Sequence, residues 1–88
     1  MPTVVLPRSL ADLFPGMPRR VGLEGGASVS EVIDELERRW PGVRDRLCDP
    51  GPVLREYINV YVDGEPARID TPVAAGATVH VLPAVAGG

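Results

Sequence analysis

The sequence contains no lysine, one cysteine and one histidine, and these shortages exclude several kinds of protein. All nine basic residues are arginine, so chains linked through this protein's own lysines are chemically impossible, while lysines of other proteins remain available as targets. Cys48 has no second cysteine for a disulfide, and we interpret it as a half-buried small apolar residue. His80 has no Cys, Asp or Glu partners at metal-ligand spacing, so it is predicted to face solvent from a strand and no metal site is expected.

Long apolar runs and dense positive charge are missing as well. No stretch approaches the roughly 20 apolar residues of a membrane helix, and the first residues lack the pattern of a signal peptide. The net charge is -3 and the arginines are spread along the chain, which argues against binding to nucleic acid or to an anionic membrane. We therefore expect the 88 residues to form one cytoplasmic domain, monomeric when free.

One main helix is predicted between Ser28 and Pro41-Gly42. Ser28 and Glu31 have the spacing of a capping box, in which each side chain accepts a backbone N–H at the start of a helix. Apolar residues then recur on one helical face, and these are Val29, Val32, Ile33, Leu36 and Trp40. The acidic residues on the other face, Asp34, Glu35 and Glu37, are interpreted as solvated rather than as paired catalytic carboxylates.

Five segments have the composition or alternation of β-strands, and they are residues 3–7, 19–24, 57–62, 65–69 and 78–83. Asp63-Gly64 is typical of a tight hairpin turn. We expect a single turn or loop at 9–14 with Leu13 or Phe14 packed on the core, a short helical turn at 43–47, and a loop at 48–52. This order predicts an α+β domain in which one main helix covers a mixed sheet of four to five strands.

Alternation along the strands separates an inward set from an outward set. The inward residues are predicted to be Val4, Leu6, Val21, Leu23, Ile58, Val60, Val62, Val79 and Val81. The outward residues form the predicted surface for docking a partner protein, and they are Val5, Tyr57, Asn59, Tyr61, His80 and Leu82.

The last residues form a segment that is poor in side chains and ends in Gly87 and Gly88. We expect a domain of residues 1–83 followed by a flexible tail of residues 84–88. When extended, the tail would reach roughly 17 Å, enough to thread a narrow channel and deliver the Gly88 carboxylate to another protein's active site. A frayed end is the plain alternative for any terminal glycine pair.

Residues 81–88 resemble the C-terminus of the ubiquitin-like sulfur carriers of the ThiS/MoaD family, most closely its CysO-type members. Residues 58–64 resemble the central hairpin of the same family, so the likeness covers most of the chain from Ser28 onward. The sequence departs from the family at Ala75-Gly76-Ala77, where an acidic turn is common in relatives. The resemblance implies a β-grasp fold.

The resemblance also implies a function as a carrier rather than an enzyme. An E1-like partner would use ATP to adenylate Gly88, and a sulfur donor would convert the adenylate to a thiocarboxylate, with Ala86 and Gly87 threading the tail into the partner. No cofactor would be bound by the carrier itself. In the CysO branch the acceptor is a PLP-dependent cysteine synthase and a metalloprotease releases the product, whereas other branches serve molybdopterin or thiazole synthesis.

Two other functions stay open at this point. In one, the protein is a ubiquitin-like modifier that is conjugated through Gly88 to lysines of target proteins. In the other, it is an interaction module with a disordered tail.

Overall fold

The computed structural model describes residues 1–83, and the elements named here all lie in that range. The helices are α1 (Arg8–Ala11), α2 (Val29–Arg39) and α3 (Val43–Leu47). The strands are β1 (Thr3–Val5), β2 (Arg20–Gly22), β3 (Cys48–Asp49), β4 (Val53–Leu54), β5 (Ile58–Val62), β6 (Glu65–Ala67) and β7 (Thr78–Pro83). Among these residues, no helix has both the length and the apolar character needed to span a membrane.

Five strands form one sheet in the order β2-β1-β7-β5-β6. Strand β7 lies in the middle, parallel to β1 on one side and antiparallel to β5 on the other, so the sheet is mixed. The remaining strands, β3 and β4, pair with each other as a separate small hairpin. The predicted α+β class and the mixed sheet are therefore confirmed.

Helix α2 begins at the predicted cap. The Ser28 hydroxyl oxygen accepts the backbone N–H of Glu31 at 3.2 Å, as expected for a capping box. The Glu31 carboxylate lies 3.4 Å from the same hydroxyl and accepts its hydrogen, instead of the predicted bond from the Ser28 amide. The apolar face of the helix is buried through Leu36, and Trp40, just beyond its end, is half-buried against the core.

The core lies between α2 and one face of the sheet. The inward residues of β1, β2 and β7 are at most 3% exposed, and Ile58 and Val62 pack at its margin. The core also includes residues outside the predicted layer, which are Leu10, Ala11, Met17, Val43, Leu47, Cys48, Val73 and Ala77. They come from the two short helices, β3 and the loops, because a sheet covered by one helix of 11 residues leaves its ends open to further packing.

One expectation about the connections is wrong and another is confirmed. Residues 48–52 were expected to be a loop, but Cys48 and Asp49 pair with Leu54 and Val53 as β3 and β4. The prediction that Leu13 or Phe14 packs on the core is confirmed by Phe14, whereas Leu13 is 52% exposed. Leu10 and Ala11 of α1 are buried in the core as well. Two-residue strands and four-residue helices are too short to show a periodic pattern in the sequence.

Two turns depend on glycine. Asp63 (φ 50°) and Gly64 (φ 86°) both have positive φ and connect Val62 to Glu65, which is the predicted tight hairpin turn. Gly26 has φ 120°, and a Cβ there would lie 2.9 Å from Cγ2 of Val32. Gly26 thus allows the chain to pass closely over the first turn of α2.

Candidate functional site

The predicted docking residues come together on the face of the sheet opposite α2. Val5 is the Cα partner of His80, and His80 is the partner of Tyr61, so these three side chains form a row across β1, β7 and β5. Asn59 and Leu82 pair with each other and form the next row. Tyr57 lies one residue before β5 and is 67% exposed. We call these six residues the outer face.

Exposure on the outer face increases toward the end of β7. Val5, Tyr61 and His80 are half-buried, whereas Asn59 is exposed and Leu82 is 45% exposed. The apolar surface of Leu82 and Tyr57 therefore lies close to Pro83, the last residue that the structure describes. Exposed apolar and aromatic groups of this kind are typical anchors of protein interfaces. Docking at the outer face itself stays a prediction.

The start of β7 is paired on both sides, and its end is paired with β5. Strand β7 pairs with β5 from Val79 through Pro83, where Pro83 is the partner of Ile58, and with β1 from Thr78 through His80. The last described residue, Pro83, is therefore fixed to β5 through Ile58. The predicted tail of residues 84–88, including Ala86, Gly87 and Gly88, lies outside the described residues.

The acidic residues of α2 have structural partners. The Glu37 carboxylate accepts the backbone N–H groups of Arg44, at 2.8 Å, and of Gly42, at 3.1 Å, and so holds the start of α3. These two hydrogen bonds, that from Arg44 first, lower the pKa of Glu37. Asp34 accepts a hydrogen bond from the Arg44 guanidinium, and Glu35 pairs with Arg38. These contacts orient α2 and α3 and leave no paired carboxylates for acid–base chemistry here.

Cys48 and His80 were the other candidates for chemistry. Cys48 is 7% exposed, and burial raises the pKa of its thiol, which disfavours the reactive thiolate. Its interpretation as a small apolar residue fits this position. His80 lies in the middle strand between Val5 and Tyr61, and within residues 1–83 no cluster of His, Cys, Asp or Glu could hold a metal ion.

Sequence reasoning missed two residues that extend the outer face. Arg20 is the Cα partner of Val5 at one edge, and Pro66 is the partner of Tyr61 at the other, so the central row runs across all five strands. The alternation of β2 could have assigned Arg20 to this face, because its neighbour Val21 was predicted to face inward. The order of the strands, which places Arg20 beside Val5, needed the structure.

The comparisons with known proteins agree with this geometry. The ThiS family model matches residues 7–88. The sulfur carrier protein CysO of Mycobacterium tuberculosis is 39% identical over 69 residues, which cover 72% of this chain and 74% of that protein. Small archaeal modifier protein 1 of Haloferax volcanii is 32% identical over 79 residues, covering 90% and 91%.

Solved structures give the same result. CysO in the Amycolatopsis orientalis BexX/CysO complex superimposes with a TM-score of 0.88 at 37% identity, covering all of both chains. The crystal structure of Mycobacterium tuberculosis CysO has a TM-score of 0.85 at 33% identity, covering 97% of this chain and 100% of that chain. The fold is therefore the β-grasp, and the chain belongs to the ThiS family. Within that family it is similar to the CysO sulfur carriers.

Proposed function

We propose that this protein is a sulfur carrier whose working group is the carboxylate of Gly88. The carboxylate attacks the α-phosphorus of ATP in an E1-like enzyme, which releases pyrophosphate and leaves an acyl-adenylate. Hydrosulfide, or a donor equivalent to it, then displaces AMP and leaves a thiocarboxylate. Activation is needed because a carboxylate repels nucleophiles and has no good leaving group. The carrier supplies the carboxylate and the binding surface, and the ATP and the catalytic groups belong to its partners.

The observation that carries this proposal is the extent of the family match, which runs from residue 7 through Gly87 and Gly88. Glycine at both positions suits the reaction, because a Cβ beside the reacting carbonyl would restrict its approach to the nucleotide. The pairing of Pro83 with Ile58 of β5 supports the same idea. A tail that starts from a rigid point reaches a partner's active site at a defined distance from the docked domain.

The outer face is the proposed recognition surface for the E1-like enzyme. Tyr57 and Leu82 present apolar surface next to the start of the tail, so a partner that covers them also receives the tail. Tyrosine is enriched among the residues that contribute most binding energy at interfaces, so Tyr57 is the expected main anchor and Leu82 adds apolar contact area.

The thiocarboxylate sulfur then passes to a biosynthetic synthase. The similar carrier from Amycolatopsis orientalis is solved in complex with BexX, which supports direct contact with a partner protein for this chain as well. In the CysO branch the acceptor is a PLP-dependent cysteine synthase with a product-releasing metalloprotease, and we propose these as the first partners to test. Sulfur accepted by another synthase would place the same carrier in a different pathway.

A second function is supported by the similarity to small archaeal modifier protein 1. A protein of this kind would use the same acyl-adenylate, but an amine of a target protein would displace AMP and form an amide at Gly88. Because this chain has no lysine, such conjugation would reach other proteins without building lysine-linked chains of the carrier.

Intact-mass analysis after incubation with the E1-like enzyme, ATP and a sulfur source distinguishes these functions. A carrier gains the mass difference of one sulfur replacing one oxygen, whereas a modifier appears as a covalent adduct with another protein. An unchanged mass with an enzyme that loads a known CysO protein would contradict both functions.

A further inference from the structure

The two edges of the five-stranded sheet, β6 and β2, differ in the backbone groups that they present to a neighbour. At β6 the edge is closed. Hydrogen bonds alternate along an antiparallel pair, and the Asp63 N–H donates to the Thr78 carbonyl of β7. The backbone N–H and C=O groups of Val60 and Val62 therefore point toward β6, where their partners are Ala67 and Glu65. The residue between those two, Pro66, is directed outward and has no N–H to donate.

The chain beyond β6 offers little more. The N–H of Arg68, the next residue of the same alternation, donates to the Thr71 hydroxyl at 2.7 Å. The Arg68 carbonyl accepts the Thr71 N–H at 3.1 Å. A strand approaching this edge would therefore find no N–H donor at Pro66 or at Arg68.

At β2 the edge is open. The Leu6 N–H donates to the Arg19 carbonyl at 2.6 Å and the Leu23 N–H to the Pro2 carbonyl at 2.9 Å. The same alternation directs the backbone groups of Arg20 and Gly22 away from β1. Within the described part of the chain, no group hydrogen-bonds to the N–H of either residue or to the Arg20 carbonyl. The edge thus presents two donors and one acceptor in strand geometry.

Gly22 leaves the backbone of the edge strand uncovered by a side chain. A Cβ at this position would meet no atom within 4 Å, and the φ of Gly22 is not in the left-handed region. Neither packing nor backbone geometry inside residues 1–83 therefore requires glycine. A glycine within a strand often marks a place where another backbone approaches closely, and at an edge that backbone would come from a partner.

Charge determines which partner fits. Arg20 is an exposed side chain of the edge strand, and the guanidinium of exposed Arg39 donates to the Gly22 carbonyl at 3.3 Å. Strand β2 therefore carries local positive charge, with exposed Glu24 two residues beyond its end, although the chain has a net charge of -3. A second copy paired at β2 would bring arginine close to arginine, which is unfavourable. A strand that carries carboxylates has the opposite charge and can accept hydrogen bonds from both guanidinium groups.

We propose that the β2 edge is a second docking site, at which an extended acidic segment of a partner protein adds to the sheet as a sixth strand. This mode of binding takes its affinity from main-chain hydrogen bonds and its selectivity from side-chain contacts. The site does not use the tail or the outer-face anchors Tyr57 and Leu82. Its success or failure is therefore independent of the chemistry proposed for Gly88.

The test uses the full chain labelled with nitrogen-15 and a blocked heptapeptide of sequence Asp-Val-Glu-Val-Glu-Val-Asp. Amide hydrogen exchange is followed by NMR with and without the peptide. At a peptide concentration that occupies nine-tenths of the protein, exchange at the N–H groups of Arg20 and Gly22 should slow by about tenfold. The same peptide with lysine at each acidic position should give no protection.

Two variants locate the binding. Gly22→Pro removes only an outward N–H, as Pro66 does at the other edge, and should abolish protection at Arg20 while the rest of the spectrum stays native. Pro66→Ala adds an N–H at the β6 edge and should leave peptide binding at β2 unchanged. If Gly22→Pro does not fold, the double variant Arg20→Glu with Arg39→Glu decides, since it should lose the acidic peptide and gain the lysine peptide.

Three results would overturn the proposal. The first is unchanged exchange at Arg20 and Gly22 with saturating acidic peptide. The second is equal protection by the acidic and lysine peptides, which would remove the role of charge. The third is protection that rises with protein concentration without any peptide, because the occupant would then be a second copy of this chain.

Discussion

The inner face of the sheet buries Val4, Val79 and Val81 to 3% exposure or less, whereas on the outer face Leu82 is 45% exposed and Tyr57 is 67% exposed. Along each strand, alternate side chains thus pack in the core or lie on the outer face. Substitutions on the inner face should change the free energy of unfolding. Substitutions on the outer face or in the tail should change association and loading while the fold persists.

The largest functional effect is expected at the tail. Deleting Gly88, or adding one residue after it, should abolish thiocarboxylate formation, because the reacting carboxylate is then lost or displaced. The melting temperature should stay close to the parent's, since the described sheet and core lie within residues 1–83. Intact mass and thermal melts measure the two effects, and an extended chain that still gains sulfur would contradict the prediction.

The largest structural effect is expected on the inner face. Ile33→Asp should unfold the domain, because Ile33 is 3% exposed and an unpaired carboxylate there costs several kcal/mol of a total of about 5–10 kcal/mol. Ile33→Val is the matched control and should cost only about 1 kcal/mol. Circular dichroism measures both, and a folded Ile33→Asp protein would mean that this side of α2 tolerates solvent.

A substitution at Gly87 tests whether the glycine is needed for the fit of the tail in a partner's channel or only for flexibility. If the tail lies extended in a tight channel, Gly87→Ala should slow adenylation by about tenfold for each 1.4 kcal/mol of barrier that the methyl group adds. Gly25→Ala is the matched control, because a Cβ at Gly25 meets no atom within 4 Å and its φ is not positive. ATP–pyrophosphate exchange with the E1-like enzyme is the measurement. Equal rates for both variants would mean that the channel is wide.

Leu82 tests the outer face. Leu82→Asp should weaken binding to the E1-like enzyme several-fold and leave the domain folded, since Leu82 is 45% exposed and lies outside the core. Val53→Asp is the control, because Val53 is 50% exposed but lies on the separate β3–β4 hairpin. Pull-down and circular dichroism on both variants make the comparison. Loss of fold in the Leu82 variant would reverse the assignment of the two faces.

The sequence predicted the elements whose side chains repeat regularly. Helix α2 shows its apolar face over 11 residues, and β5 alternates over five, so their buried sides could be assigned before the structure. The β3–β4 hairpin was missed because two-residue strands show no period and contain no alternation to detect. Val43 and Leu47 were missed as core residues because a five-residue helix is too short to show an apolar face in the sequence. Their burial follows from the packing of α3 against α2.

The candidate site divides in the same way. Alternation alone grouped Val5, Tyr61 and His80 as outward residues, and they do share one face of the sheet. They form one row because β7 lies between β1 and β5. This arrangement pairs the first strand of the domain with the last. Local patterns carry no information about such distant pairing. The open β2 edge is visible only once the partner of every backbone group is known.

The smallest expected effect concerns the junction of α2 and α3, where the Glu37 carboxylate holds the start of α3. The N–H groups of Arg44 and Gly42 lower the pKa of Glu37 below its ordinary value of 4.5. A carboxyl with a lowered folded-state pKa contributes stability that is present above the unfolded pKa and is lost as the pH falls through the folded value. Glu37→Gln removes the charge but keeps an oxygen acceptor.

Glu37→Gln should therefore lower the free energy of unfolding at pH 7 by about 1 kcal/mol or less. The difference from the parent should shrink as the pH falls below the ordinary pKa of the carboxyl, because the parent's Glu37 then becomes neutral as well. Denaturant unfolding at a series of pH values measures this difference. A difference that stays constant from pH 7 to pH 3 would mean that the glutamate acts through its shape rather than its charge, and that the two N–H groups at the start of α3 are satisfied equally well by a neutral amide.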